Sequence, residues 1–364
     1  SIKNEEVSDW IIINDNLSSS IFIGYDMDEI DGKIIKYREC KTDQDKVSYH
    51  IVTDKTSFYP EGGGQIGDIG QIILGDKKIK VNNTFRDAGE IIHVTIELPN
   101  DLNSLIKLKI DRNRRTLIES NHTSTHLLHQ ALRKILGNHV EQRGSMISDK
   151  MFRFDFSHQN KISDSKLSNV NNFVNEKINE SIDLIEDREE DYQIATKNGA
   201  IGLFTEKYED KVRTIKFNDS YELCGGTHVK NTSDISSFKI ISEGSQAFGI
   251  RRIVATSNEE VIIAEGLKQR AVKEKTANEN ANKLLKKEIE SQNKIKIQLI
   301  KDDIIKNINN TNDANTFVGE VDLDPKSIKE LCFILSDKFE KLILILLSKS
   351  NEKVFMSCFI SKNL

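Results

Sequence analysis

His122-Thr123-Ser124-Thr125-His126-Leu127-Leu128 lies inside a run from Asp111 to Gly137 in which Leu117, Leu127, Leu128, Ala131, Leu132 and Ile135 recur at three- and four-residue steps. That period predicts a buried helix stopped by Gly137. Histidines four apart share one helix face, a turn from each other, so His122 and His126 present two imidazoles to one point. The pair lacks the glutamate that follows the first histidine in zinc peptidases, which argues against that chemistry. A second pair stands at Cys224-Gly225-Gly226-Thr227-His228, where two glycines allow a tight turn between thiol and imidazole. Three imidazoles and a thiolate make a ligand set suited to tetrahedral Zn2+. Two uses stay open: a closed site fastening the helix to a sheet, or a catalytic site in which a ligand loosens or the coordination number rises. His129 and His139 read as partly buried histidines without a special role, and His158, ending Arg153-Phe154-Asp155-Phe156-Ser157-His158, reads as able to line a pocket.

The fold class expected is α+β and multidomain. Residues 1–19 form a lead-in containing Trp10. Residues 20–110 carry β-rich runs (21–25, 33–37, 47–53, 71–74, 91–96 and 105–110) at roughly ten-residue spacing, which suggests a small β-barrel. Between the third and fourth runs, Gly62-Gly63-Gly64-Gln65 offers a backbone able to approach another surface closely, or simply a flexible hairpin. Residues 111–256 are expected to form one α+β domain holding the zinc site. Its second helix is placed at about 167–184, and strands at 151–156, 192–195, 212–217 and 238–242 complete one sheet. Residues 257–312 read as a long helical linker, since no Gly or Pro occurs between Leu267 and Val318 and the apolar seam is broken. A spacer arm and a helical hairpin are both compatible with it. Residues 313–364 read as β-α-β-β, a partial α/β domain too small for a robust core by itself.

At 364 residues the chain is long enough for two to three domains. Its net charge of −5 excludes a generally basic nucleic-acid binder, so any affinity for polyanions must be local. Between Ser104 and Arg153 ten Lys or Arg stand against four acids, an excess that reads as a phosphate-receiving patch, with Arg251 and Arg252 as further candidates. The long helix is locally basic too. Apolar runs such as Leu342 to Leu347 are far shorter than ~18 residues, so no membrane partner is expected. Cys40, Cys224, Cys332 and Cys358 are scattered with no signal peptide, which suits a cytoplasmic, reducing compartment. The start at Ser1 rather than Met suggests a piece of something longer.

The two ligand pairs, with Phe22-Ile23-Gly24-Tyr25, Phe58 to Asp68, Gln142-Arg143-Gly144-Ser145, Arg153 to His158, Ala200 to Tyr208, Glu243-Gly244-Ser245 and Gly249 to Ile253, resemble in this order the C-terminal part of alanyl-tRNA synthetase, including its editing domain. The resemblance implies hydrolysis of the ester that joins serine or glycine to tRNA(Ala), because an alanine-sized pocket rejects one hydroxyl or one missing methyl by only about 1–3 kcal/mol. It implies zinc on His122, His126, Cys224 and His228, with Gln142, His126 and Cys224 counted as catalytic. Gln142 is implied as the residue that discriminates amino acids. Gly62, Gly63, Gly64, Gln65, Arg143 and Arg252 are implied as contacts to the substrate. The implied partner is the acceptor end of tRNA(Ala), and a homodimer through the C-terminal region is left open. The family's aminoacylation domain, with its ATP site, would lie upstream, so no charging of tRNA is expected from this chain. The alternatives are a freestanding editing protein and a non-catalytic tRNA-binding or assembly module with a structural zinc.

Overall fold

A computed structural model describes residues 5–17, 20–42, 47–202, 208–310, 313–350 and 353–361. They form two compact units, Ser1–Leu267 and Lys268–Leu364.

The first unit opens with a nine-stranded antiparallel sheet in which three of the eight pairings join strands consecutive in sequence. Its longest strand, Lys77–Asp87, is absent from the sequence reading because lysines and asparagines occupy its outward positions, while Ile79 and Val81 alternate inward. The expected barrel is not found: the strand path runs from Glu5–Val7 to Glu29–Gly32, and no pairing joins these ends among the described residues. Regular spacing fixes hairpin succession but not closure, which also requires a matching strand tilt and stagger. The Glu29–Gly32 edge carries Glu29 and Asp31, which pair with Lys107 and Lys109 of the neighbouring strand and make that edge a poor template for further strands.

Helix α1 (Arg112–Leu136) follows at once. The Asp111 side chain caps it by accepting from the Arg114 N–H, and Gly137 ends it at φ 121°. Its apolar residues Ile118, Leu127, Leu128, Ala131 and Leu132 share a core with Phe152, Phe154 and Phe156, which alternate along one strand, and with Val170, Phe173 and Val174 of helix α2 (Asp164–Asn179). The single expected sheet is two. One is antiparallel and four-stranded, in the order Gln142–Ile147, Phe152–Ser157, Ile250–Thr256, Lys239–Ala247; the other has three strands, Ile185–Asp191, Lys211–Phe217 and Ser220–Leu223. The strand expected at 192–195 is instead helix α3 (Tyr192–Lys197). Asp191 accepts from the Gln193 and Ile194 N–H groups, and this local capping overrides the β propensity of Tyr192 and Ile194. Of the Ala200 to Tyr208 motif, residues 203–207 lie outside the described residues.

Helix α4 (Glu259–Asn307) is one uninterrupted helix of 49 residues, about 74 Å long at ~1.5 Å per residue, so the hairpin alternative falls. Within Lys268–Leu364, its buried Ile297 and Ile304 pack with Val321, Leu323, Leu342, Leu344 and Leu346 and with Ile328, Leu331 and Leu335 of helix α5 (Pro325–Ser336). The end of α4 thereby supplies the apolar area that the β-α-β-β segment lacks by itself. The strands Asn315–Glu320 and Leu342–Ser350 are parallel and joined through α5, while Lys353–Ile360 returns antiparallel. No helix among the described residues is long and apolar enough to cross a membrane.

Candidate metal centre and the cavity beside it

Every residue of α1 from Ile118 to His129 is buried, although most are polar. A buried polar segment costs free energy unless its groups are paired, and here nearly all of them are. Asn121 donates to the Ser148 carbonyl and accepts from the Ser257 N–H and hydroxyl, and the Ser120 and Thr125 hydroxyls donate to carbonyls one turn back. The remaining face of this segment carries His122 and His126.

The second ligand pair approaches from the loop after Ser220–Leu223. The nearest ligand atoms of His122, His126, Cys224 and His228 lie within 4.8 Å of one another, and these four can hold a metal ion. Cys224 Sγ is 3.4 Å from both His122 Nε2 and His228 Nε2. At Gly226 a Cβ would run into the His122 ring, so the CGGTH turn requires glycine there for close approach. Arg213 fixes the turn by donating to the Cys224 and Gly226 carbonyls at 2.7 Å, and Tyr25 Oη donates to the Gly225 carbonyl at 2.6 Å.

All three imidazoles are held at Nδ1 by a different neighbour. His122 meets Gln65 Oε1 at 2.8 Å, His126 meets Glu222 Oε2 at 2.8 Å, and His228 meets Thr123 Oγ1 at 3.2 Å. Each ring is therefore oriented with Nε2 toward the cluster, and His126 Nε2 is buried without a hydrogen-bond partner among the described residues. This is the outer arrangement that fixes tautomer and orientation in histidine metal ligands. Burial opposes ionisation of Cys224, but His122 and His228 beside it hold the thiol well below its ordinary range. Burial, then the His122 charge, push His228 down to about 3, so it offers a neutral nitrogen. Burial disfavours a charged His126, yet the Glu222 carboxylate outweighs it and pushes the imidazole up to about 10. A cation at Nε2 would take the place of that extra proton. Glu222 itself is held below the usual carboxylate range against its burial, by His126 and also by His129, whose Nδ1 lies 2.9 Å away.

Glu222, Thr123 and His129 carry no role in the sequence reading. The available signal was Glu222, an acid two residues before Cys224 in a strand whose neighbours are buried. Glu222→Ala is expected to weaken metal binding about 10- to 100-fold, read by competition with a chromophoric chelator, while Glu222→Gln loses less. Unchanged affinity in the alanine variant would remove this residue from the site.

His122, His126 and Cys224 line a cavity of about 490 Å3 together with Thr125, His129, Gln142, Ser145, Glu222, Gly63 and Gly225. Gln142 donates to Ser145 Oγ at 3.2 Å. Gly64 packs so tightly on Ser145 that a Cβ would overlap its hydroxyl, at a backbone φ of 83°. Gly63 alone of the glycine run reaches the cavity, and Gly62 pairs with Gln65 across the turn, its N–H donating to the Gln65 carbonyl. Gln65 is fully buried: besides His122, its Oε1 accepts from the Thr227 N–H at 3.0 Å and its Nε2 donates to Thr227 Oγ1. Gln65 thus positions His122 and does not face the cavity. Arg143 is exposed and pairs with Glu141 at 2.8 Å, and Arg252 pairs with Asp155 at 2.6 Å; neither lines the cavity. The basic patch read from residues 104–153 is largely consumed by acids brought in by folding. Arg112 pairs with Asp28 and Glu119, Arg114 with Asp149, Lys107 and Lys109 with Glu29, and Arg251 with Glu243. Arg115 is buried against Asp68 and cannot meet a phosphate. A count along the chain includes Glu119 and Asp149 but misses Asp28, Glu29 and Asp68, which lie outside the stretch.

Residues 212–254, spanning the CGGTH pair, match the family described as threonyl and alanyl tRNA synthetase second additional domain, and residues 2–114 match the class II (A) tRNA synthetases. The chain is 43% identical over 373 residues to an alanine–tRNA ligase of Christiangramia forsetii, covering 98% of this chain and 42% of that protein. It is 49% identical over 252 residues to one of Cytophaga hutchinsonii, with 69% and 28% covered, and 38% identical over 380 residues to one of Flavobacterium psychrophilum, with 98% and 43% covered. It spans less than half the length of these curated relatives. With the additional-domain and class II matches and similarity to alanine–tRNA ligases over 98% of this chain, the chain belongs to the alanyl-tRNA synthetase family.

Proposed function

We propose that this chain hydrolyses the ester of seryl- and glycyl-tRNA(Ala), with zinc held by His122, His126, Cys224 and His228. The observation that carries this reading is that three of those ligand residues line a polar cavity together with Gln142 and Ser145. The donor set suits zinc. Ligands at ~2.3 Å for sulfur and ~2.1 Å for nitrogen, set tetrahedrally, lie roughly 3.6 Å apart, close to the 3.4 Å between Sγ and two of the Nε2 atoms. When bound, the cation supplies Lewis-acid chemistry at the cavity floor.

The chain's own residues then bind and sort the substrate. Gln142, Ser145 and Thr125 offer hydrogen-bonding groups to a serine hydroxyl; an alanine methyl placed there would leave them unpaired, whereas glycine leaves that space to water. Gly63 and Gly225 leave room at the rim for the terminal ribose. The partner in this reading is the acceptor end of tRNA(Ala), and the compartment is the cytoplasm. Similarity to alanine–tRNA ligases over nearly the whole chain favours a synthetase segment over a freestanding editing protein.

The test is deacylation of matched seryl-, glycyl- and alanyl-tRNA(Ala) by the zinc-loaded chain. The first two esters are expected to decay well above their spontaneous rate and alanyl-tRNA(Ala) close to it. Spontaneous decay of all three would reject the hydrolytic reading and leave a cation that fastens α1 to the turn after Ser220–Leu223, a use compatible with the burial of the three histidines.

A further inference from the structure

One end of the four-stranded sheet leads away from the cavity. Its first strand carries Gln142 and Ser145 into the cavity, and Asn138 and Glu141, just before it, form part of the rim. From that rim the backbone is tied sideways: the Ser157 N–H donates to the Glu141 carbonyl, Ser157 Oγ donates to the His139 carbonyl at 2.6 Å, and the His158 N–H donates to the Gly249 carbonyl at 3.0 Å. Three aromatic rings stand along this row. His139 and His158 lie edge to edge, with centroids 5.2 Å apart, planes 25° from parallel and nitrogens Nε2 and Nδ1 meeting at 2.9 Å, so the two rings form one wide, nearly flat surface. Beyond them, at the tip of the hairpin between Lys239–Ala247 and Ile250–Thr256, Phe248 is 100% exposed. His158, Gln159, Phe248 and Arg251 border a shallow cavity of about 170 Å3.

A phenylalanine wholly in water gives up the area that usually justifies its presence. Its hairpin neighbours Ser245, Gln246, Ala247 and Gly249 are small or polar, and Ile250 is the other large apolar side chain bordering the shallow cavity, too little apolar surface for a protein to settle on. An accessible aromatic ring beside a flat pair of edge-to-edge imidazoles offers faces on which unpaired nucleobases can stack, since every base has a π-face. The row crosses the three strand spacings from the Gln142 strand to the Phe248 hairpin, about 14 Å at ~4.8 Å each. It begins at the rim of the cavity proposed to take the aminoacyl ester. We propose that Phe248 and the His139–His158 pair form a stacking ledge for the unpaired nucleotides that precede the esterified 3′ end. The proposal rests on the tRNA reading above for the identity of the polymer; the ledge itself rests on the three rings and their place.

The test uses the full chain and a fluorescein-labelled RNA minihelix with four unpaired 3′ nucleotides, compared with the same duplex made blunt. Phe248→Ala is expected to weaken binding of the overhang RNA about 5- to 100-fold and to leave the blunt duplex unaffected, while Phe248→Trp retains or tightens binding. His139→Ala with His158→Ala is expected to lose part of the same increment. Because Phe248 is fully exposed, its alanine variant should melt at the wild-type temperature, which separates lost stacking from lost folding. Equal affinity of wild type and Phe248→Ala for the overhang RNA, an equal loss on the blunt duplex, or no binding of the overhang RNA by wild type overturns the ledge. Since binding requires no turnover, Phe248-dependent binding without deacylation would sink only the hydrolytic reading. Normal deacylation with Phe248-independent binding would sink only the ledge.

Discussion

Cys224→Ala protein is expected to purify without stoichiometric zinc and to hydrolyse seryl-tRNA(Ala) at least about 100-fold more slowly than wild type, since loss of a direct ligand costs more than the 10- to 100-fold typical of an outer partner. The thiolate is the one anionic donor among four, and it sits within 3.4 Å of two imidazole nitrogens. Without it, three buried imidazoles must share a dication with no compensating charge in direct contact. His126→Ala should behave alike, because its buried Nε2, without a hydrogen-bond partner among the described residues, belongs to the four-residue ligand cluster. Elemental analysis and the deacylation assay read the two consequences separately. Cys358→Ala, at an exposed position outside the cluster, serves as the control and keeps both zinc and rate. Full zinc content in Cys224→Ala would remove the thiol from the site.

Asp68→Ala is expected to destabilise the first unit by about 3–5 kcal/mol, the cost of stranding one member of a buried ion pair. Its partner Arg115 is among the largest fully buried side chains in the protein, pairing with Asp68 and donating to the Gly24 carbonyl at 2.8 Å and the Ser57 carbonyl at 3.1 Å. Asp68 also accepts from the Tyr59 N–H at 2.7 Å. Removing the carboxylate leaves the buried guanidinium only the more distant Glu119 carboxylate, 3.9 Å away, as a counter-charge. Arg115→Met with Asp68→Leu should recover part of the loss, since the uncompensated charge is then gone. Urea unfolding measures both. A loss under about 1 kcal/mol for Asp68→Ala would mean that water reaches the pair.

The sequence exposes the metal cluster because both halves of it are local: a four-residue helical step at His122 and His126, and a glycine-permitted turn between Cys224 and His228. Helix α1 is legible for a similar reason, its apolar period and its Gly137 stop lying within one run. What lies between elements is hidden. Gln65, Glu222 and Thr123 act through contacts to residues far along the chain, and beyond the nearness of Glu222 to Cys224 no local pattern announces their partners. Barrel closure fails in the same way, because hairpin spacing says nothing about whether the first and last strands meet. The short stretch 192–195 has a strand-like composition, and only the Asp191 cap decides it for a helix. The basic excess around α1 misleads because charge counted in sequence order ignores the carboxylates that folding delivers to it.

The Gln65 amide has a further consequence for engineering. It comes from the sheet-bearing half of the first unit, yet it sets the tilt of an imidazole anchored in α1 and seals the turn carrying Thr227. The centre is consequently not autonomous. A graft of residues 111–256 onto a foreign scaffold would carry all four donors but lose Gln65 behind His122 and Tyr25 behind the Gly225 turn, so transplantation of the centre has to include the preceding 110 residues or designed surrogates for both.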